Sequence, residues 1–426
     1  MQILLTGASG FIGQHLLTAL LGEGHQIIGC VRHVEPWRVR FPEVKWLNCD
    51  YTQDKNPQVW LPRLTGIDVV INAVGIIHEK RGQSFDDLHT HAPIALFKAA
   101  EQMGIRKIVQ ISALGADENA ESVYHLSKRA ADKALLALDV EAVILYPSIL
   151  IGRGGGSTTL FSAMAALPWM PIIGQGEQRL QPILIEDFKA CLLALLQNWP
   201  GGSQRLELVG PQPITFLQLM VFIRNWLGMK PASALFIPLP VMKVLAKLND
   251  WLGIGPLTSE SLDMLLRGNC GDPAPVTAAL IKPRPIEVGL RDSPATTADR
   301  WHARLFFLRP LLRFSIGFLW LFTGIVSAFI YPIEESYKLL FATGISGIWL
   351  PVMLYSASVL DGMLGIATWV GYKMRLVVGL QLLLMVSYMA ILSWTFPEFW
   401  VHPFGAITKN LPLIVATLIM LVLEEE

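Results

Sequence analysis

Two stretches of this chain, residues 314–333 and 376–397, contain no charged residue over 20 and 22 positions respectively. A bilayer core takes roughly 20 apolar residues per helix, so segments like these are hard to cover with protein alone. Between them, residues 339–372 carry a single charge, Asp361. The second half of that stretch, 351–371, reads as another spanning helix, with an interfacial helix before it. A last segment, 404–423, is long enough to span only with Lys409 near its edge. Four spans put both ends of the segment on one side. Arg300, Arg304, Arg309 and Arg313 precede the first span, and Lys373 and Arg375 join the second to the third. The opposite loops carry Glu334, Glu335, Lys338 and Glu398. The positive-inside rule therefore places everything before the first span, and both termini, in the cytoplasm. A charge at bilayer depth is costly, so Asp361 should face the bundle interior or lie near an interface.

The remaining 300 residues have a different texture. The whole chain is 52% hydrophobic and 16% charged, against about 25% charged in ordinary soluble proteins, and the apolar excess is confined to the C-terminal part. Net charge is zero with no basic tail, which argues against a nucleic-acid partner. Cys30, Cys49, Cys191 and Cys270 are scattered without metal-ligand spacing; free thiols in a reducing compartment, and no metal, are expected. The apolar start Met1–Leu5 lacks a charged leader region and runs into a glycine turn, so it reads as a first strand.

Short β-branched runs alternate with helical stretches through this N-terminal part. Strands are expected at 2–6, 26–31, 44–49, 68–73, 107–112 and 141–146, with one more at 205–209. Helices are expected near 13–21, 92–103, 216–227 and 242–251. Runs such as Val69–Ile71 and Val143–Leu145 are apolar on both faces, as in strands covered by helices on two sides. The expected fold is α/β, a doubly wound parallel sheet of the dinucleotide-binding kind, followed by an all-α four-helix transmembrane domain. The boundaries read as 1–205 for the dinucleotide domain, 206–300 for a substrate-side extension and 301–426 for the membrane domain.

Gly7, Ser9, Gly10, Phe11, Ile12 and Gly13 lie in a GxxGxxG turn that follows the first strand and opens a helix. Such a turn lets backbone N–H groups approach a pyrophosphate at a helix N-terminus. Arg32, just after the second strand, favours the 2′-phosphate of NADP(H) over NAD(H), since an NAD site usually has an acid there. Asp50, ending the third strand, either accepts from the adenine amino group or caps a turn. Ala73 and Gly75, in the small-residue run after Asn72, let the chain pass close to the nicotinamide-side ribose. Tyr124 and Lys128 form a YxxxK pair that shares one helix face. A nearby ammonium lowers the phenol toward working pH and makes it a general acid.

Together these residues resemble the short-chain dehydrogenase/reductase superfamily, in its atypical branch related to the NAD(P)H-binding accessory subunit of respiratory complex I. The segments carrying the resemblance are 6–13, 71–77, 108–116 (IVQISALGA), 124–128, 146–152 (YPSILIG) and 181–188 (QPILIEDF). Residues from about 304 resemble the four-helix DoxX-like membrane domain of bacterial inner-membrane proteins. The resemblance implies catalysis by Tyr124, Lys128 and Ser112, with Ala113 in the serine's place in the neighbouring register. It also implies dinucleotide contacts from Lys128 and Pro147. Two functions follow. One is an oxidoreductase acting on a lipophilic carbonyl or quinone-type substrate at the membrane. The other is a non-catalytic NAD(P)H-binding assembly or sensor protein of a respiratory or ubiquinone-synthesis complex.

Overall fold

The computed structural model describes residues 1–80, 82–252 and 258–424, which form two compact units, Met1–Ala303 and Arg304–Glu426. In the first unit, seven strands make one parallel sheet. They are β1 (Gln2–Thr6), β2 (Gln26–Val31), β3 (Lys45–Asn48), β4 (Val69–Asn72), β5 (Lys107–Ile111), β6 (Glu141–Pro147) and β7 (Gln204–Leu208). Their order is β3-β2-β1-β4-β5-β6-β7, so the direction of winding reverses between β1 and β4, where such sheets bind their ligands. In β1, β4 and β6 nearly every residue is buried.

The helices that bury those faces are α1 (Phe11–Gly22), α2 (Ala92–Gln102), α3 (Val123–Leu136) and α4 (Ile185–Gln197). One core layer holds Trp60, Leu96, Phe97, Ala100 and Leu135. The other holds Leu16, Leu17, Leu20, Phe188 and Leu192. Each large apolar side chain so buried contributes roughly 1.5–3 kcal/mol. A third core lies beside the sheet. It joins Phe161, Met170 and Ile172 to Phe216 and Met220 of α5 (Phe216–Trp226), Met242 and Ala246 of α6 (Leu239–Leu252), and Leu262 of α7 (Ser259–Arg267). Residues from both sides of position 205 therefore share one core, and β7 runs across that boundary.

Among the described residues of the second unit, three helices are long and apolar enough to cross a membrane: Leu308–Ile330, Trp349–Val370 and Met374–Thr395. They contain α8 (Leu308–Ile325), α9 (Trp349–Val370) and α10 (Met374–Thr395). Their packing is inside-out for water. Phe318, Phe322, Val359, Met363 and Leu383 point outward, whereas Ser358, Asp361, Thr368, Gln381 and Thr417 are buried. A β-carbon on Gly324 would lie 2.5 Å from the Ser358 carbonyl, and one on Gly365 2.7 Å from the Gly317 carbonyl. Small residues thus let α8 and α9 touch backbone to backbone, as membrane helices do. Asp361 faces the bundle interior at 6% exposure. The helix expected in the first half of 339–372 lies earlier, at Ile333–Ala342, and ends where Gly344 turns left-handed (φ +92°).

The last expected span differs. Helix α11 covers only Asn410–Glu424, 15 residues, or about 22 Å at 1.5 Å per residue, short of the roughly 30 Å of a bilayer core. Gly405 in a left-handed turn (φ +62°) and the bond from its N–H to the His402 carbonyl (2.8 Å) hold the preceding segment out of the helix. Glu424 at the end of α11 pairs with Arg313 (3.2 Å) and Arg309 (3.5 Å) near the start of α8. Those two helix ends therefore lie at the same end of the bundle.

Candidate active site

The glycine turn sits where β1 hands over to α1. Gly7 has φ +66°, and a β-carbon there would lie 2.7 Å from the Ala73 carbonyl just beyond β4. The Gly10 N–H donates to the Gly7 carbonyl (2.9 Å). Gly10 caps α1 in an extended conformation with no side-chain cap, so the N–H groups of Phe11, Ile12 and Gly13 have no partner within the helix. A β-carbon on Gly13 would meet the Gly7 carbonyl at 2.0 Å. Gly7 and Gly13 are thus required by the fold. Gly10 is exposed, and a β-carbon there would meet only the Gly7 carbonyl, at 3.3 Å, a tight contact that a small shift relieves. This open cradle of unpartnered donors at a helix N-terminus fits a pyrophosphate. Ser9 is exposed, with its carbonyl accepting from the Gln14 side chain (2.8 Å). Phe11 lies against the turn after β6, 3.0 Å from where a Gly155 β-carbon would sit. Buried Pro147 ends β6 and accepts the Leu114 N–H (3.0 Å).

Arg32 follows β2 with an exposed side chain, and its carbonyl accepts from the Asn48 amide (2.6 Å). Asp50 caps a turn through Oδ1, which accepts from the Thr52 N–H (3.0 Å) and hydroxyl (2.9 Å). A buried polar chain crosses the sheet beneath the crevice. Thr6 and Tyr51 hydroxyls donate to the Asn72 side-chain oxygen Oδ1 (2.6 and 2.8 Å), and the Asn72 side-chain amide donates to Gln110 Oε1 (2.7 Å).

Tyr124 and Lys128 lie in the first turns of α3, which Ser122 caps by accepting the His125 N–H. Lys128 is 3% exposed and donates to the carbonyls of Val74 (3.2 Å) and Ile111 (3.1 Å), so its ammonium sits between the ends of β4 and β5. A β-carbon on Gly75 would come within 3.1 Å of that nitrogen; the absence of a side chain there opens the lysine's path. Burial pulls Lys128 down to about 8, with Asp132 opposing. The Tyr124 ring packs edge-on against Phe85, His89 and His125. Burial, then Glu260, then Asp132 push its phenol up to about 12. The lowering expected from Lys128 is not seen: burial and the two carboxylates set the phenol's shift, and all three raise it. Glu260 reaches over from α7 to accept the Tyr124 N–H (2.9 Å).

Ser112 stands one residue past β5, buried, and donates its hydroxyl to Asp132 (2.5 Å). That proton is committed inside the protein, so Ser112 does not offer it to a substrate carbonyl in this conformation. Ala113 is buried beside it. Burial pushes Asp132 up to about 6.

Three residues escaped the sequence reading. Asp132, four positions after Lys128, has the spacing of an ordinary surface ion pair on a helix. Glu260 is far along the chain. His89 lies in a polar run, Asp86–His91, that forms a wide π-type turn. His89 is fully buried: Nε2 accepts the Ile76 N–H (3.0 Å) and Nδ1 lies 3.0 Å from the Ser127 hydroxyl. Ser127 in turn donates to the Tyr124 carbonyl (2.7 Å). Burial, then Lys128, drives His89 down to about 2, so a neutral ring links the loop after β4 to the helix carrying Tyr124.

Lys128 gives a pH test with two opposite signs. Its folded value, about 8, lies below the 10.5 of a free lysine. The folded chain therefore binds fewer protons than the unfolded one between those values, and stability contributed here rises with pH across that window. If Lys128 holds the ribose, dinucleotide affinity should move the other way, because the ammonium is lost above about pH 8. Titrations from pH 7 to 10 should show weakening in wild type and a flat profile in Lys128→Met. A flat wild-type profile would remove Lys128 from the cofactor site.

Residues 3–206 match the NAD-dependent epimerase/dehydratase family, and residues 317–418 match the DoxX-like family. The ceramide reductase of Caulobacter vibrioides is 32% identical over 234 residues, 54% of this chain and 71% of that protein. The chain belongs to the NAD-dependent epimerase/dehydratase family, with a DoxX-like domain following. The mitochondrial NADH dehydrogenase (ubiquinone) 1 alpha subcomplex subunit 9 of Arabidopsis thaliana is 30% identical over 258 residues, 58% of this chain and 62% of that one. The chain thus spans less than two thirds of the plant subunit. Among solved structures, UDP-glucuronic acid 4-epimerase from Bacillus cereus, with UDP-glucuronic acid and NAD, superposes with a TM-score of 0.53 at 17% identity, covering 72% of this chain and all of that one. The structure of gox2253 gives 0.55 at 20% identity over 71% of this chain and 98% of that one. Both likenesses concern the fold. They bear out the doubly wound architecture of the first unit, and the DoxX-like match together with the apolar helices supports membrane association of the C-terminal part.

Proposed function

We propose that this chain is a membrane-anchored NAD(P)H-dependent reductase of a lipophilic carbonyl compound, with Tyr124 as the proton donor and Lys128 holding the cofactor's ribose. The observation that carries this reading is Lys128, buried yet tethered between the ends of β4 and β5 one helical turn from Tyr124. Gly7–Gly13 would hold the pyrophosphate, Ala73, Gly75 and Pro147 would line the nicotinamide side, and Arg32 would meet a 2′-phosphate. The nicotinamide, when bound, supplies hydride to the carbonyl carbon. The Tyr124 hydroxyl gives its proton to the carbonyl oxygen, producing an alcohol, and the Lys128 ammonium stabilises the phenolate left behind. Ser112 acts one step back, by holding Asp132. The likeness to the ceramide reductase of Caulobacter vibrioides supports a lipid-derived substrate. The arginines and lysine at one end of the spans support a cytoplasmic dinucleotide domain.

A second reading is favoured by one observation, the Ser112 hydroxyl committed to Asp132. It takes the chain as a dinucleotide-stabilised assembly protein, like the complex I subunits it resembles. Detergent-purified protein, titrated with NADPH and NADH and then mixed with long-chain ketones and quinones, separates the two. The first reading expects oxidation of bound NADPH; tight binding without turnover favours the second, and no binding overturns both. Arg32→Ala should weaken NADPH about 10- to 100-fold, the worth of a charged hydrogen bond, and leave NADH nearly unchanged. Equal effects on both would remove Arg32 from the 2′-phosphate.

A further inference from the structure

Helix α6 is apolar on two faces, and the fold uses only one. Met242 and Ala246 are buried in the third core. Val241, Val244, Leu245, Leu248 and Trp251 recur at spacings of three and four, so they form one stripe. All five are exposed, Val244 at 65% and Trp251 at 81%. The strand before the helix, Ser233–Ile237, adds exposed Leu235 and Phe236. An open groove of about 420 Å³ between strand and helix, lined by Phe236, Pro238 and Leu239 on one side and by Gln175, Glu177 and Gln178 on the other, borders the patch. Isolated surface hydrophobics are ordinary, but a contiguous patch of this extent marks an interaction site.

Charge and context select the occupant. Lys243 and Lys247 are exposed on one flank of the stripe, together with Asp250, which accepts the Ser259 N–H. A helix with an apolar stripe, a terminal tryptophan and flanking lysines is built to lie in the headgroup layer, its apolar face sunk roughly 5–10 Å. The same chain carries three membrane-crossing helices downstream, so this unit is held permanently beside a bilayer. We infer that α6, with the edge of the Ser233–Ile237 strand, is a second membrane contact, through which the dinucleotide-binding unit rests on the lipid surface. The contact would face the third core toward the bilayer and let an amphiphile reach the crevice without crossing water. It depends on the membrane residence of the chain and not on catalysis.

The test uses the full chain in vesicles of phosphatidylethanolamine and phosphatidylglycerol. Cys270, the exposed cysteine beside buried Cys30, Cys49 and Cys191, is replaced by serine. An environment-sensitive fluorophore is then placed at Val244→Cys, or at Met103→Cys after α2 as an aqueous control. At position 244, spin-labelled lipids should quench the dye several-fold more than at 103, and aqueous iodide should quench it less. Quenching by iodide but not by lipid would overturn the inference. Shielding from both quenchers would also overturn it, since the stripe would then be packed on protein, such as a second copy. Nucleotide affinity measured on the same labelled chains reports the fold and the cofactor site independently of either outcome.

Discussion

Gly10→Ala is expected to leave the fold standing and to weaken dinucleotide binding about 10- to 100-fold. The neighbouring substitutions, Gly7→Ala and Gly13→Ala, are expected to damage the fold itself. The difference follows from what an added methyl meets. At Gly13 it meets the Gly7 carbonyl at 2.0 Å, which nothing short of moving the turn can relieve. At Gly7 it meets the Ala73 carbonyl at 2.7 Å, and φ +66° is a conformation costing other residues roughly 1–2 kcal/mol. Overpacking adds about 1–3 kcal/mol in either place. At Gly10 the backbone is extended and the nearest atom lies at 3.3 Å, so the fold loses only about 1 kcal/mol of capping preference. What the methyl would obstruct is the approach of a pyrophosphate to the donors of Phe11, Ile12 and Gly13. Thermal unfolding and nucleotide titration of the three variants check this. Unimpaired binding by Gly10→Ala would mean that the phosphates do not lie against this turn.

How far the sequence foretold this arrangement depended on which kind of signal a residue left. Strands β1 and β2 are legible to the residue, because continuous apolar runs between turn residues have no other use in such a chain. The spans were equally plain where charge vanished for 20 positions. The last segment, expected at 404–423, starts later because Gly405 turns left-handed and the helix begins only at Asn410. At the site, Gly7–Gly13, Tyr124 and Lys128 were readable because their chemistry depends on local spacing. Asp132 was not, since Lys128 and Asp132 at a separation of four look like a solvated pair, yet both are buried. His89 and Glu260 were invisible for a related reason. Their importance comes from elements brought together by the sheet and the third core, and no local pattern carries that.

Tyr124→Phe is expected to lower turnover by about 10²- to 10⁴-fold, the usual worth of a positioned general acid, while dinucleotide affinity stays within about twofold of wild type. The substitution is mild structurally. The ring keeps its edge-on contacts with Phe85, His89 and His125, at centroid distances of 5.8, 5.4 and 5.1 Å, and the Glu260 bond goes to the backbone N–H, not to the hydroxyl. Only the hydroxyl, and with it the transferable proton, is removed. Because burial and Glu260 hold the phenol up to about 12, wild-type Tyr124 stays protonated through neutral pH. Reduction should therefore need no acidic medium, and its rate should be flat from about pH 6 to 7.5. The oxidative direction, which needs the phenolate, should be slow there and rise with pH. Measuring both directions, in wild type and variant, distinguishes a lost acid from a disturbed pocket. A disturbed pocket would weaken nucleotide binding as well. Undiminished turnover in Tyr124→Phe would overturn the assignment of the acid. If wild type binds nucleotide tightly but turns over nothing, a Tyr124→Phe chain that still associates with its partners would identify the site as a dinucleotide-filled structural element.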